Sequence, residues 1–213
     1  ASWENQIGAL SRAGYRVIAY DRRGFGRSDK PEDGYDYDTF AADLEAVISG
    51  LDLTEVTVVG FSMGGGEVAR YMSRHDGRGV NSAVLVGSVV PYMLKTEDNP
   101  HGVPEHQLLG IAAGIQEDRP NFFHNFFKDF FGVGYVTSPV SQPMLDWAWR
   151  LAMQASLRST LECAKSFSFT DFRPDLPAFR VPTLVIHGTG DKTVPIDATG
   201  RAAAAVASPR IRE

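Results

Sequence analysis

The sequence predicts an α/β fold: a mostly parallel sheet with helices on both faces and an inserted helical lid. Two observations carry this. Short, nearly all-apolar runs alternate with stretches of helical periodicity, the pattern of a parallel sheet covered on both sides. A long aromatic-rich helical pattern, from Pro91 to Arg180, then separates the third such run from the fourth. That stretch is too long for a single crossover helix. Residues 1–90 and 181–213 are therefore expected to form the core, and 91–180 the lid.

In order, Ser2 can cap a helix from Trp3 to Ala13, which Gly14 ends. Arg16-Val-Ile-Ala-Tyr20 is β-branched and apolar and predicts a buried strand. A loop punctuated by Gly24, Gly26, Pro31 and Gly34 follows. Phe40, Leu44, Val47, Ile48 and Leu51 then recur at helical spacing within a predicted helix from Thr39 to Leu51. Further strands are expected at Val56–Gly60, Ser82–Val86 and Thr183–His187, with a helix from Met63 to His75 after the second strand. An alanine-rich helix should run from Asp197 to about Ala207, and Ser208–Glu213 should begin another strand.

Composition narrows the function. The 213 residues, 43% hydrophobic and 22% charged, suffice for one core of ordinary size. A formal net charge of −5 argues against nucleic acid or an anionic membrane as partner. Arg22, Arg23 and Arg27 are interleaved with Asp21 and Asp29 and predict a solvated, salted loop. No apolar run approaches the ~20 residues that span a bilayer. The single cysteine, Cys163, excludes an internal disulfide and a multi-cysteine zinc site, and fits a reducing, cytoplasmic compartment.

Gly60-Phe61-Ser62-Met63-Gly64 matches G-x-S-x-G in the context its chemistry needs, a strand delivering the serine to a tight turn from which a helix departs. Such a turn holds Ser62 in a strained backbone conformation that flanking glycines tolerate, with its hydroxyl above the sheet edge. The helix start supplies N–H groups and a positive dipole end, so the Met63 amide is the expected oxyanion donor. Gly65 and Gly66 keep the helix slim where it meets the strands. A phosphate loop would need Lys-Ser/Thr after the glycines, and Glu67-Val68 stand there. Gly24-Phe-Gly26 opens no helix and reads as a rigid turn, not a dinucleotide site.

Asp191 follows the strand Thr183–His187, where the order serine, acid, histidine places the orienting carboxylate. Gly87-Ser88-Val89 offers no alternative acid. The histidine itself is absent from this sequence. His75 lies ~20 Å along the helix that Ser62 opens; His101, His106 and His124 fall in the lid; His187 suits a core hydrogen-bonding role.

Gly60-Phe-Ser-Met-Gly-Gly-Gly-Glu67 and Tyr20-Asp-Arg-Arg-Gly-Phe-Gly-Arg-Ser28 resemble the cofactor-free (non-heme) chloroperoxidase and arylesterase (perhydrolase) family of bacterial α/β-hydrolases. Thr170-Asp-Phe-Arg-Pro-Asp175 and Val181-Pro-Thr-Leu-Val-Ile-His-Gly-Thr-Gly-Asp191 fit the same family, and the likeness covers the whole chain. The resemblance implies Ser62 as nucleophile, Asp191 as acid and Met63 N–H as oxyanion donor, with no metal or cofactor. Small esters would form an acyl-enzyme. Water would release an acid, and hydrogen peroxide a peracid that oxidises halide in solution.

It further implies a fold incomplete at both ends. An upstream strand, which the family places between Arg16–Tyr20 and Val56–Val59, and its oxyanion loop lie outside the sequence, as do the last strand and the histidine loop. The chain alone is then expected to be neither active nor normally stable. A non-catalytic binding protein of the same fold is the second reading. A dehalogenase or epoxide hydrolase would need a carboxylate at position 62 and is excluded. Phe122, Phe123, Phe126, Phe127, Phe130 and Phe131 share adjacent helix faces; most are expected to pack lid against core, and a few to line an apolar acyl pocket.

Overall fold

The computed structural model describes residues 3–134, 136–206 and 211–212. Four parallel strands lie in sequence order: β1 (Val56–Phe61), β2 (Val80–Val86), β3 (Thr183–Ile186) and β4 (Ile211–Arg212). Val58 pairs with Ala83, which in turn pairs with Thr183, so the C-terminal ends of β1, β2 and β3 finish level with one another. The helices are α1 (Glu4–Arg12), α2 (Tyr37–Gly50), α3 (Met63–Arg74), α4 (Glu105–Phe130), α5 (Gln142–Met153), α6 (Leu157–Phe169) and α7 (Gly200–Val206), with a 3-10 turn at Arg173–Ala178. Ser2, Ala207 and most of Ser208–Glu213 lie outside the described residues; only Ile211–Arg212 of the last predicted strand falls within them.

The core forms where α3 lies across β1 and β2 with α2 and the 3-10 turn against its sides. Tyr71, Phe40, Phe172, Leu85 and Leu176 are almost wholly enclosed there. The helix α2 starts two residues earlier than the apolar spacing predicts. Asp36 caps it, accepting from Thr39 N at 2.9 Å and from the Thr39 hydroxyl at 2.8 Å. Across the strands burial alternates. Val58, Ala83, Leu85 and Val185 face α3, whereas Val59, Phe61, Leu184 and Ile186 on the opposite face stay 40–50% exposed. Trp3, at the N-cap of α1, meets Phe61 there edge to face at 6.4 Å.

The predicted strand Arg16–Tyr20 does not form. The segment joins no ladder, and Tyr15, Ile18 and Tyr20 remain exposed. β-Structure is a pairing, not a local conformation. The side of β1 away from β2 has no strand beside it among the described residues, and residues 16–20 therefore lack a partner as well.

The phenylalanine run also departs from expectation. None of its six rings is buried. They stack on one another along α4, Phe122 on Phe126 at 6.2 Å and Phe123 on Phe127 at 6.0 Å. The helix is broken at Asp118 (φ −151°, ψ 82°), two residues before Pro120, which cannot donate to the helical ladder. Core contact is made instead by Leu108 and Ile115, before the break. Trp149 donates to the Pro120 carbonyl at 2.8 Å, and Arg119 to that of Ala155 at 2.9 Å, so α5 and the link that follows it hold the bend.

Candidate active site

Ser62 stands at the junction of β1 and α3 with φ 52° and ψ −122°, a left-sided conformation that a residue with a Cβ adopts only under constraint. The constraint is visible. Ser62 N donates to Val86 O at 2.9 Å, while Ser62 O accepts from Gly65 N at 3.0 Å and Val89 N at 3.3 Å. The flanking glycines are not equivalent. A Cβ on Gly60 would stand 2.5 Å from the Gly64 carbonyl oxygen, so that glycine is demanded by the close approach of β1 and α3. One on Gly64 would meet nothing nearer than Arg22 Nη2 at 3.6 Å. Gly65 and Gly66 are required by packing, since their Cβ atoms would run into Ser88 at 1.9 Å and Phe172 at 2.4 Å.

Met63 opens α3, so its N–H is one of those the helix cannot satisfy internally, and it has no acceptor among the described residues. Its carbonyl accepts from the Tyr37 hydroxyl at 3.2 Å. The Ser62 hydroxyl also has no hydrogen-bond partner among the described residues. Next to Ser62, β2 ends at Val86 and turns through Gly87 (φ 46°), whose N–H donates to Ile186 O at 2.8 Å. A Cβ at Gly87 would stand 3.6 Å from Asp191 Oδ2 and 3.7 Å from the Phe61 ring. The adjoining ends of β1, β2 and β3 thus bring Ser62 and Asp191 to one sheet edge with a glycine between them.

The two oxygens of Asp191 differ in what they meet. Oδ1 accepts from the N–H groups of Thr193 and Val194, both at 2.9 Å. Oδ2 accepts no hydrogen bond among the described residues. His187 is nearly enclosed, its Nε2 bonded to Val194 O at 2.9 Å and 3.5 Å from Asp191 Oδ2. A carbonyl can only accept, so Nε2 carries a proton; the buried Nδ1 has no partner among the described residues. His75 stacks on Tyr71 at the far end of α3, and His101, His106 and His124 are exposed. None of the five histidines bonds to Ser62. Among the described residues no group of three or more His, Cys, Asp or Glu could hold a metal ion.

Behind the serine lies a group that the sequence pattern hides. Arg22 is no solvated loop residue. Its Nε and Nη2 reach Glu67 Oε2 at 2.8 and 2.7 Å, and the Tyr20 hydroxyl donates to Oε1. Glu67 is only 4% exposed, on the second turn of α3. Burial works against the charge on Arg22, but the Glu67 carboxylate more than offsets it and raises the arginine pKa. Burial likewise pushes the nearby Cys163 thiol up to about 12, with Glu67 adding to the shift. Arg23 pairs separately with Asp43 at 2.6 Å. The available signal was a glutamate directly after the glycines at the start of a helix packed into the core, where a buried charge demands a partner.

The α/β-hydrolase fold model matches residues 1–213. A non-heme chloroperoxidase of Kitasatospora aureofaciens is 43% identical over 205 residues, 96% of this chain and 74% of that protein. A bifunctional esterase/perhydrolase of Acinetobacter calcoaceticus is 37% identical, over 95% of this chain and 74% of that one. The crystal structure of a Bacillus anthracis bromoperoxidase superposes with a TM-score of 0.94 at 46% identity, covering 99% of this chain and 76% of that one. No described helix is long and apolar enough to cross a membrane. With its serine on a strained strand-to-helix turn, the chain belongs to the α/β-hydrolase family, among the non-heme haloperoxidases and their esterase relatives.

Proposed function

We propose that Ser62 is the nucleophile of a cofactor-free esterase and perhydrolase, with Asp191 as its orienting acid and Met63 N–H as an oxyanion donor. The observation that carries this reading is the φ of 52° at Ser62, strain that a structural turn would relieve with glycine. Ser62 Oγ attacks the ester carbonyl as its proton passes to a histidine base. The Met63 N–H stabilises the oxyanion, the alcohol leaves, and an acyl-enzyme remains. Water converts it to the acid. Hydrogen peroxide converts it to a peracid, which oxidises halide ions in solution. The open Oδ2 of Asp191 is suited to accept the N–H of the base, which must come from outside the described residues. The reaction so drawn uses no metal or cofactor.

Residues 91–180 act as a lid over this edge, supported by the Phe130 ring meeting Phe61, the neighbour of Ser62, at 6.5 Å. Half-exposed aromatic rings there favour a small neutral or aromatic ester. The partners are small molecules, not nucleic acid or membrane, and the unpaired buried thiol fits the cytoplasm. In the full-length protein, phenyl or naphthyl acetate should be hydrolysed and a phenol dye brominated in a peroxide-dependent manner. Ser62→Ala should abolish both; unchanged rates in a pure preparation would remove Ser62 from the mechanism. The second reading, a non-catalytic binding protein, draws on the lack of a histidine bonded to Ser62. Rapid fluorophosphonate labelling of Ser62 in the full-length protein would exclude it.

A further inference from the structure

We infer that Glu67, clamped by Arg22 and Tyr20, is a positioning residue that sets the angle of the first turns of α3 and thereby aims Met63 N–H and Ser62. The inference rests on the esterase reading. Glu67 takes three donors: Nε and Nη2 of Arg22 at 2.8 and 2.7 Å, and the Tyr20 hydroxyl. All three come from two residues of one segment, Tyr20 and Arg22, which joins no ladder. The guanidinium lies 5.3 Å over the Phe40 ring, and its Nη2 lies against the start of α3 at Gly64. Tyr37, on the same helix as Phe40, donates to Met63 O at 3.2 Å. Two sets of contacts from α2 and the Tyr20–Arg22 segment thus converge on residues 63 to 67.

Packing sets how closely this turn approaches its neighbours, since Gly65 lies against Ser88 and Gly66 against Phe172 and Tyr37. Gly64, Gly65 and Gly66 offer no side chain that could make a directional contact, so direction comes from the polar contacts at Met63 and Glu67. A buried ion pair contributes little net stability compared with an apolar pair of the same size, but it is directional. Its place one turn beyond the oxyanion donor, among three glycines, is where direction matters. Misplacing a reacting group by an ångström can cost about a hundredfold in rate.

The test is steady-state ester hydrolysis by the full-length protein at temperatures well below each variant's melting point. Ser62→Ala serves alongside as the check on the esterase reading itself. Glu67→Gln should lower kcat by about 10- to 100-fold while KM stays within about twofold, the signature of a loss confined to the transition state. The double replacement Arg22→Met with Glu67→Leu removes both charges and should recover the melting temperature but not kcat. Tyr20→Phe removes one donor and no charge, so it covers the case in which Glu67→Gln fails to fold. It should lower kcat severalfold with KM unchanged. Recovery of kcat together with melting temperature in the double variant would make the pair merely structural and overturn the inference. So would an unchanged kcat in Glu67→Gln or in Tyr20→Phe. If instead Ser62→Ala retains activity, the esterase reading fails first.

Discussion

His187 Nε2 stands 3.5 Å from Asp191 Oδ2 and donates instead to Val194 O at 2.9 Å. The histidine nearest Asp191 is therefore spent on holding the loop that carries it, and Oδ2, beside Gly87, accepts no hydrogen bond among the described residues. In the full-length protein, Asp191→Asn should leave the fold intact, because the amide oxygen can still accept from Thr193 and Val194. It should cut turnover by ~10⁴, the loss serine proteases show when the orienting carboxylate becomes an amide. A change below about tenfold in steady-state hydrolysis would place the acid elsewhere.

Gly60→Ala should damage the fold where Gly64→Ala does not. The new methyl at position 60 would meet the backbone of Gly64 and Gly65 at 2.5–2.7 Å, and backbone cannot step aside as a side chain can. A loss of about 1–3 kcal/mol or more is expected in denaturant melts, against less than about 1 kcal/mol at position 64. Equal losses at both positions would mean that the approach of β1 and α3 is looser than the geometry shows.

Cys163 should be inert in the native state. It is 3% exposed, and burial, with Glu67 behind it, pushes its thiol pKa up to about 12. At pH 8 only about one thiol in 10⁴ would be ionised, and only the thiolate reacts. A disulfide-exchange reagent should therefore label it only after denaturation, and prompt stoichiometric labelling of folded protein would contradict the burial.

Asp36→Ala should cost about 1 kcal/mol, the typical worth of a helix cap. Although its partial burial acts in the other direction, hydrogen bonds from the Thr39 amide and hydroxyl hold the Asp36 pKa below its ordinary 3.8. A depressed carboxylate stabilises the fold above its unfolded pKa and loses that contribution as pH falls through the folded one. The gap between wild type and variant should thus be full at neutral pH and close below about pH 4. Melting temperatures measured from pH 7 to pH 3 would show it, and a gap that widened toward acid would reverse the sign.

The 213-residue chain alone should self-associate. Among the described residues β1 has a side without a strand, its own Val59 and Phe61 are exposed, as are Tyr15, Ile18 and Tyr20, and apolar unpaired edges invite other chains. Sedimentation should show concentration-dependent species, or heating should show no cooperative transition. A monomer with a sharp midpoint above ~50 °C, typical of intact domains, would refute this.

What was legible in the sequence depended on how local each cause was. The Ser62 turn was readable because strand, glycines and helix are contiguous, and the place of Asp191 because its loop follows β3 within a few residues. Arg16–Tyr20 misled because its apolar run states a preference that only a neighbouring strand can satisfy. The α2 start was missed by two residues because Phe40 gives the period, whereas Asp36 and Thr39 give the boundary. Phe122 to Phe131 kept their helical spacing, but spacing does not say which face turns inward after a break at Asp118. The partnership of Arg22 and Glu67, 45 residues apart, left only a misplaced charge as its trace.

The break at Asp118 has a consequence for what a substrate would touch. An unbroken helix of 26 residues would be a rod of about 39 Å, and a rod anchored at Leu108 and Ile115 has a single heading for everything beyond them. The bend gives the far arm a heading of its own, and Phe130 arrives 6.5 Å from Phe61. The Phe130 end of the arm is thereby the end that meets Phe61, next to Ser62. On the esterase reading, a side chain exchanged near Phe130 should alter which esters react more than one exchanged near Phe122. The heading of the arm would then be set by Asp118 and Pro120, ten or more residues back along the helix.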